Sequence, residues 1–317
     1  MAGPNQLHTA GRPVGAVLDM LEHLTSLIVT MNRLDTASRA AIVRCLVDGS
    51  SIRATARITG TSKATVLKLL VDLGEFCSVY QDHVLTNLPA TRVEADEIWA
   101  FVGAKARNAR VEGQGDIWTF TAIDADSKLM ISWLVGRRSP DNARAFMEDV
   151  AARLANRVQL TTDGHHMYLT AVEKAFGYNK VDYAMLVKTY GQVPDLDGAR
   201  RYSPPVCTGA VKERIMGNPD PDLVSTSYVE RANLSMRMGM RRFTRLTNGF
   251  SRKAENHAHA VSLYFMHYNF CRVHATLTKA AGGVHTTPAM AAGVTDRVWK
   301  VEDMLALMEP GVTVGGD

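Results

Sequence analysis

The sequence predicts an α/β fold in which a mixed sheet is flanked by helices and preceded by a small helix-turn-helix domain. Two observations carry this. Three short helical patterns, each closed by a glycine, fill residues 34–76, and three strand patterns from residue 92 onward give way to alternating helix and strand. The resulting division is an N-terminal tail and helix over 1–33, the helix-turn-helix over 34–80, a main domain over 92–280 with an insertion at about 190–224, and a C-terminal tail over 281–317.

Residues 1–13 are small and polar, and the spacing of Val17, Leu18, Leu21, Leu24, Leu27 and Ile28 predicts a helix over 14–31. Gly49, Gly60 and Gly74 close the next three helical stretches, 36–48, 52–58 and 62–73. In the third, Ser62 is placed to cap the helix and Val66, Leu69 and Leu70 face inward. That leaves Ser62, Lys63, Thr65 and Lys68 outward, where a recognition helix presents groups to base edges and phosphates. A helical bundle that touches no DNA is the plainer alternative. Pro89 marks a connector over 81–92. Strands are then expected over 93–102, 117–124 and 129–136, after which Ser139-Pro140 opens a helix ending near residue 154. A strand over 158–162, a helix over 167–176 and a strand over 181–188 follow. Residues 190–222 are dense in proline and glycine and are expected to form a long loop, with helices after it over 225–240 and 252–272.

With 317 residues, 46% of them hydrophobic, the chain can build one sizeable core, which excludes disordered and fibrous classes. Its apolar runs are far shorter than the roughly 20 residues of a bilayer span, so the expectation is a cytoplasmic, nucleoid-associated protein with no membrane partner. Cys45, Cys77, Cys207 and Cys271 form no CxxC pair, against a zinc ribbon or a disulfide scaffold. The net charge of +4 is mild. Its distribution says more, because Arg231, Arg237, Arg241, Arg242, Arg245, Arg252 and Lys253 crowd one stretch that could neutralise a phosphate backbone.

Three carboxylates carry the chemical expectation. Asp96 interrupts a strand that should be half buried, where a charge needs a partner or a metal. Asp163 follows the strand over 158–162 and precedes Gly164, at a strand end where ligands gather. Glu230 lies on a helix that the long loop returns toward the sheet. Each also has an ordinary reading: an edge-strand charge, a turn former, and the last member of a Ser227-x-x-Glu230 capping box. Together they could bind two hard cations through oxygen, Mg2+ or Mn2+, as an in-line phosphoryl displacement requires. Arg237, seven residues after Glu230, shares its helix face and could hold a phosphate; Asn233 lies on the same face, and a solvent-exposed helix surface is the plainer reading of both. His165 and His166 are assigned no ligand role, because adjacent loop residues diverge. Trp99 and the aromatics Tyr264, Phe265, Tyr268 and Phe270 are assigned to the core.

The stretch 227–250, SYVERANLSMRMGMRRFTRLTNGF, followed by YNFCRVH at 268–274, resembles bacterial transposases of the insertion sequence one family. The likeness reaches upstream through EADEIW (94–99), AIDADSK (122–128) and TDG (162–164), and so covers residues 92–275. It implies a ribonuclease H-like catalytic core with a DDE triad of Asp96, Asp163 and Glu230, all three metal ligands, and Arg237 as the basic residue that follows. Asp124 and Asp126 then fall outside the triad. Family members often begin with a cysteine-rich zinc ribbon, and this chain has none, so recognition of DNA would rest on the helix-turn-helix and on partner subunits.

The expected function is therefore a DNA transposase. Ser62, Lys63, Thr65, Lys68, Arg241, Arg242 and Arg245 would contact the inverted repeats and target DNA, while two Mg2+ or Mn2+ ions would serve strand cleavage and transfer. Holding two ends together favours a homodimer or a larger assembly. The alternatives are a catalytically silent DNA-binding regulator built on a transposase body, and a nuclease that never joins strands.

Overall fold

The structure, a computed structural model, describes residues 34–191, 206–244 and 248–309. The expected tail and helix over 1–33 lie outside the described residues. The N-terminal part holds α1 (Thr36–Val47), α2 (Ile52–Thr59) and α3 (Lys63–Val84). The chain continues through β1 (Arg92–Val102), β2 (Gly115–Asp124), β3 (Met130–Gly136), α4 (Pro140–Arg153), β4 (Val158–Asp163), α5 (Met167–Phe176), β5 (Val181–Gly191) and β6 (Val206–Met216). After these come α6 (Ser227–Gly239), α7 (Ala254–Met266), and the short helices α8 (Ala275–Ala280), α9 (Pro288–Ala291) and α10 (Val301–Ala306).

The six strands form one mixed sheet in the order β3-β2-β1-β4-β5-β6. The β1–β2, β2–β3 and β5–β6 pairs are antiparallel, while β1–β4 and β4–β5 are parallel. Successive residues of a strand point to opposite faces, and β2 shows which helices cover which. Phe120 meets Phe146 of α4 at 5.6 Å between ring centroids, whereas Thr121 donates to Asn233 Oδ1 of α6 at 3.1 Å. The sheet is thus flanked on both faces by helices, as expected. Among the described residues no helix is long and apolar enough to cross a membrane.

Local capping chemistry sets most helix starts. Ser51, Ser62 and Ser139 each accept from a backbone N–H three residues on, at 3.1, 3.0 and 3.4 Å, which satisfies donors that a helix start leaves open. Gly60, at φ +69, ends α2 in the left-handed conformation that glycine adopts without strain.

Gly74 behaves otherwise. It does not end α3, which continues to Val84 and buries Leu69, Leu70, Leu73, Phe76, Cys77 and Val79 in the common core. A Cβ at position 74 would lie 2.5 Å from the His259 carbonyl oxygen of α7. The glycine therefore marks a close crossing of two helices rather than a helix end, and the expected connector over 81–92 begins only after Val84. Gly74→Ala sets an intrinsic helix gain of about 1 kcal/mol against a clash with backbone. The clash wins, and we expect a net loss of about 1–3 kcal/mol from the shift in urea midpoint. A stabilised variant would show the crossing to be looser than described.

Further expectations fail. The loop placed over 190–222 contains β6, which extends the sheet along β5. Most side chains from Cys207 to Ile215 are exposed, so no buried face left an alternating pattern to read. The C-terminal tail over 281–317 is, as far as residue 309, packed structure: Met304 and Leu305 are buried, Trp299 lies 5.2 Å from Tyr80 of α3 between ring centroids, and Glu309 pairs with Arg39 of α1 at 2.9 Å. The helix expected over 252–272 ends at Met266 and passes into a π-helical turn, His267–Cys271. That turn places buried Asn269 to bond both Met130 N and O, at 3.0 Å each. Tyr264, Phe265, Tyr268 and Phe270 are buried, as expected. Trp99 is only half-buried, with the Lys105 ammonium 5.7 Å from its ring centroid.

Candidate active site

Register explains why Asp96 and Asp163 meet. The parallel pairing of β1 with β4 runs through Ala95↔Thr162, so these two acids are the next positions on adjacent strands, which lie about 4.8 Å apart and point their side chains to one face. Carboxylate oxygens of Asp96, Glu97 and Asp163 lie within 4.8 Å of one another. Glu97 was not expected there, because strand periodicity turns it away from Asp96. β4 stops at Asp163, so no residue of β4 stands opposite Glu97.

The cluster is electrostatically strained. Burial lifts the Asp96 carboxyl to about 6, and the nearby charges of Asp163 and Glu230 add to the rise against hydrogen bonds from the Glu97 N–H and Asn233. Burial and then the Asp163 charge lift Glu97 to about 7, with Arg138 opposing. The Glu97 side chain is 1% exposed, and Arg138 donates to its Oε2 at 3.1 Å while lying 3.8 Å from Asp163. Tyr168 of α5 adjoins the same carboxylate, yet neither its hydroxyl nor Glu97 Oε1 has a hydrogen bond of good geometry.

Glu230 stands beside this cluster, not within it. Its Oε1 accepts from Lys188 of β5 and from Thr226, and its side chain is 43% exposed. The capping-box reading fails as well, since Ser227 N donates to Ser225 Oγ at 3.0 Å and the helix start is held from elsewhere. Glu94 of β1 reaches across and accepts from Tyr228 N and Val229 N at 2.7 and 3.0 Å. A carboxylate at that end also complements the helix dipole. One turn after Glu230, Asn233 donates to Asp96 Oδ2 at 3.0 Å, so β1 grips α6 at two points. Arg237 lies two turns after Glu230 and is half-buried.

The remaining expected residues divide. Ser62 and Thr65 bond each other at 2.9 Å in capping α3, Lys63 is exposed, and exposed Lys68 pairs with Asp72 at 2.6 Å. Arg241 is exposed, whereas Arg242 donates to Ser251 Oγ and the Asn256 carbonyl at 2.9 Å each, and desolvation lowers its pKa to about 10. Arg245 lies outside the described residues. Asp124 accepts from Asp126 N, Ser127 N and Ser127 Oγ in the β2–β3 turn, and Asp126 pairs with Arg92, so both have structural duties outside the cluster. His165 N donates to Asp163 Oδ1 at 3.1 Å, while its Nδ1 accepts from Met167 N at 3.3 Å.

Four residues at this sheet end escaped sequence reasoning: Glu94, Glu97, Arg138 and Lys188. The density of acid in Glu94-Ala95-Asp96-Glu97 was the available signal for the first two. For Arg138 and Lys188 there was none, because a lone cation near a strand end is ordinary. Chemically, the arrangement offers two or three carboxylates to a hard cation, with an arginine and a lysine close by. Compared with known proteins, the chain matches no family model and no curated protein.

Proposed function

We propose that the chain is a DNA transposase that binds DNA ends and catalyses metal-dependent strand cleavage and strand transfer on a ribonuclease H-like core, as its resemblance to insertion sequence one transposases implies. The observation that carries this reading is the convergence of Asp96, within β1, and Asp163, at the end of the parallel strand β4, with a buried Glu97 oxygen beside them. An all-oxygen donor set of this kind fits Mg2+ or Mn2+ and does not fit a soft metal. Divalent ions held at Asp96 and Asp163 would supply charge stabilisation to the attacking and leaving oxygens. Asn233 orients Asp96, Arg138 offsets the excess negative charge, and Arg237 holds the phosphate. Glu230 completes the ligand set by releasing Lys188. The helices α1, α2 and α3 serve end recognition as a helix-turn-helix, and two copies or more hold two ends.

The test is incubation of the full chain with labelled DNA bearing the element's own ends, with and without Mg2+. Joined product supports the proposal. Nicked product without joining would make the protein a nuclease, and salt-sensitive binding without cutting would make it a regulator. The regulator reading has one observation in its favour, namely the Lys188–Glu230 ion pair that keeps Glu230 out of the acidic cluster.

Cation binding should also displace protons. With Glu97 lifted to about 7 and Asp96 to about 6, both bind protons near neutrality, and a divalent cation must compete with them. Apparent Mg2+ affinity is expected to fall as pH drops from 8 towards 6, with proton release visible as a buffer-dependent heat in calorimetry at about pH 7. Glu97→Gln should remove most of that release. An unchanged buffer dependence would take Glu97 out of the ion's surroundings.

A further inference from the structure

A cleft of about 830 Å³ opens between the start of α3 with the α1–α2 turn on one side and, on the other, Met240 to Arg242 together with Asn248 to Arg252 and Asn256. Its floor is apolar, made by leucines of α1, α3 and α7. Its rim carries Arg53, Lys63, Arg241 and Arg252, all exposed and none in an ion pair among the described residues. Arg242 adds a fifth cation behind them, tied to Ser251 and Asn256. No Asp or Glu is found among the described residues that line the cleft. A solvated helix face would put its cations on one element and mix in acids. Here they converge from α2, α3 and the stretch after α6.

The cations alone would suit any polyanion, and the floor narrows the choice. Phe250 lines the cleft half-buried and is backed by Phe101, with ring centroids 5.1 Å apart and nearly parallel. An apolar floor with a supported aromatic ring and a cationic rim matches a ligand that alternates anionic groups with flat apolar ones. Single-stranded DNA has that pattern, whereas a duplex keeps its base faces stacked inside and presents mainly phosphates to such a rim. The volume also lies within the range of small-molecule pockets.

We propose that this cleft seats an unstacked nucleotide of single-stranded DNA at the opposite end of α6 from the proposed catalytic carboxylates. The proposal rests on the DNA reading given above. Glu230 and the cleft residue Met240 are separated by about 15 Å of helix rise, which corresponds to about four nucleotide steps of a B-form strand. The frayed end of a cut strand is the part of a DNA substrate that would reach it.

The experiment is fluorescence anisotropy in EDTA with three labelled probes: a short single strand, its blunt duplex, and the duplex with an unpaired end. The single strand and the unpaired end are expected to bind about tenfold tighter than the blunt duplex, and Phe250→Ala to remove about tenfold of that affinity while duplex binding stays within about twofold. Should Phe250→Ala fail to fold by circular dichroism, Phe250→Leu, which keeps an apolar side chain and removes the ring, gives the same reading. Equal affinity for duplex and single strand overturns the proposal. So does competition by heparin combined with no effect of Phe250→Ala, which would leave only a cationic surface. Asp96→Asn should bind the single strand as wild type does. Absent cleavage with intact single-strand preference therefore counts against catalysis alone, and the reverse result counts against the cleft alone.

Discussion

Asp96→Asn is expected to abolish metal-dependent cleavage and joining, by a factor on the order of 10³ or more, while leaving DNA binding in EDTA unchanged. Asparagine keeps the shape and can still accept from Asn233, but it removes the anionic oxygen that a divalent cation needs. The same substitution should stabilise the folded protein when no metal is present. The folded pKa of Asp96 is raised, to about 6 against an ordinary 3.8, so ionising it costs the native state about 3 kcal/mol at most, at 1.36 kcal/mol per unit. That penalty is complete above pH 6, shrinks as pH falls, and is gone below about 4, where folded and unfolded forms are both protonated. Urea unfolding of wild type and variant should therefore differ by about 1–3 kcal/mol at pH 8 and converge in acid. Retained joining activity would remove Asp96 from the site, and a pH-independent difference would refute the burial argument. Activity and stability pulling in opposite directions is the behaviour of a functional carboxylate, not of a structural one.

Arg153→Ala should produce the largest loss of stability, about 3–5 kcal/mol, because it breaks a buried charge network. The Arg153 side chain is 6% exposed and donates to Asp149 at 2.7 Å, to Asp82 at 2.5 Å and to the Leu85 carbonyl at 3.2 Å. Asp82 and Asp149 are 7% and 5% exposed, and Ser132 of β3 also donates to Asp149 at 2.5 Å. Losing the guanidinium strips two buried carboxylates of their cation and frees the end of α3 from α4. Desolvation opposes the arginine's charge, yet its two carboxylate partners outweigh it and raise its pKa. Arg153→Met combined with Asp149→Asn and Asp82→Asn should recover most of the loss, since a neutral network carries no such desolvation cost. A single-variant loss below about 1 kcal/mol would show that the pair is solvated in solution.

Much of the architecture was legible before any coordinate. The strands around Asp96 and Asp163 were placed to within a residue or two, because strands buried on both faces read as short runs rich in apolar, β-branched and aromatic residues whose ends carry turn residues. Ser51, Ser62 and Ser139 lie where their helices begin, since a serine hydroxyl satisfies an open N–H whatever surrounds it. These are local decisions, made by chemistry within a few residues. Glycine was less readable, because Gly60 and Gly74 carry the same letter for different reasons: one needs a positive φ, the other a missing Cβ.

The amino-acid sequence by itself determined an α/β chain with one acid inside a strand and another at a strand end, because periodicity and capping are read over short distances. Only the tertiary structure decided that Glu97 joins Asp96 and Asp163, that Glu94 holds the start of α6, that Lys188 occupies Glu230, and that β6 extends the sheet. Each of these is a contact between segments far apart in the chain, and periodicity reports which face a residue shows but not which partner it finds there.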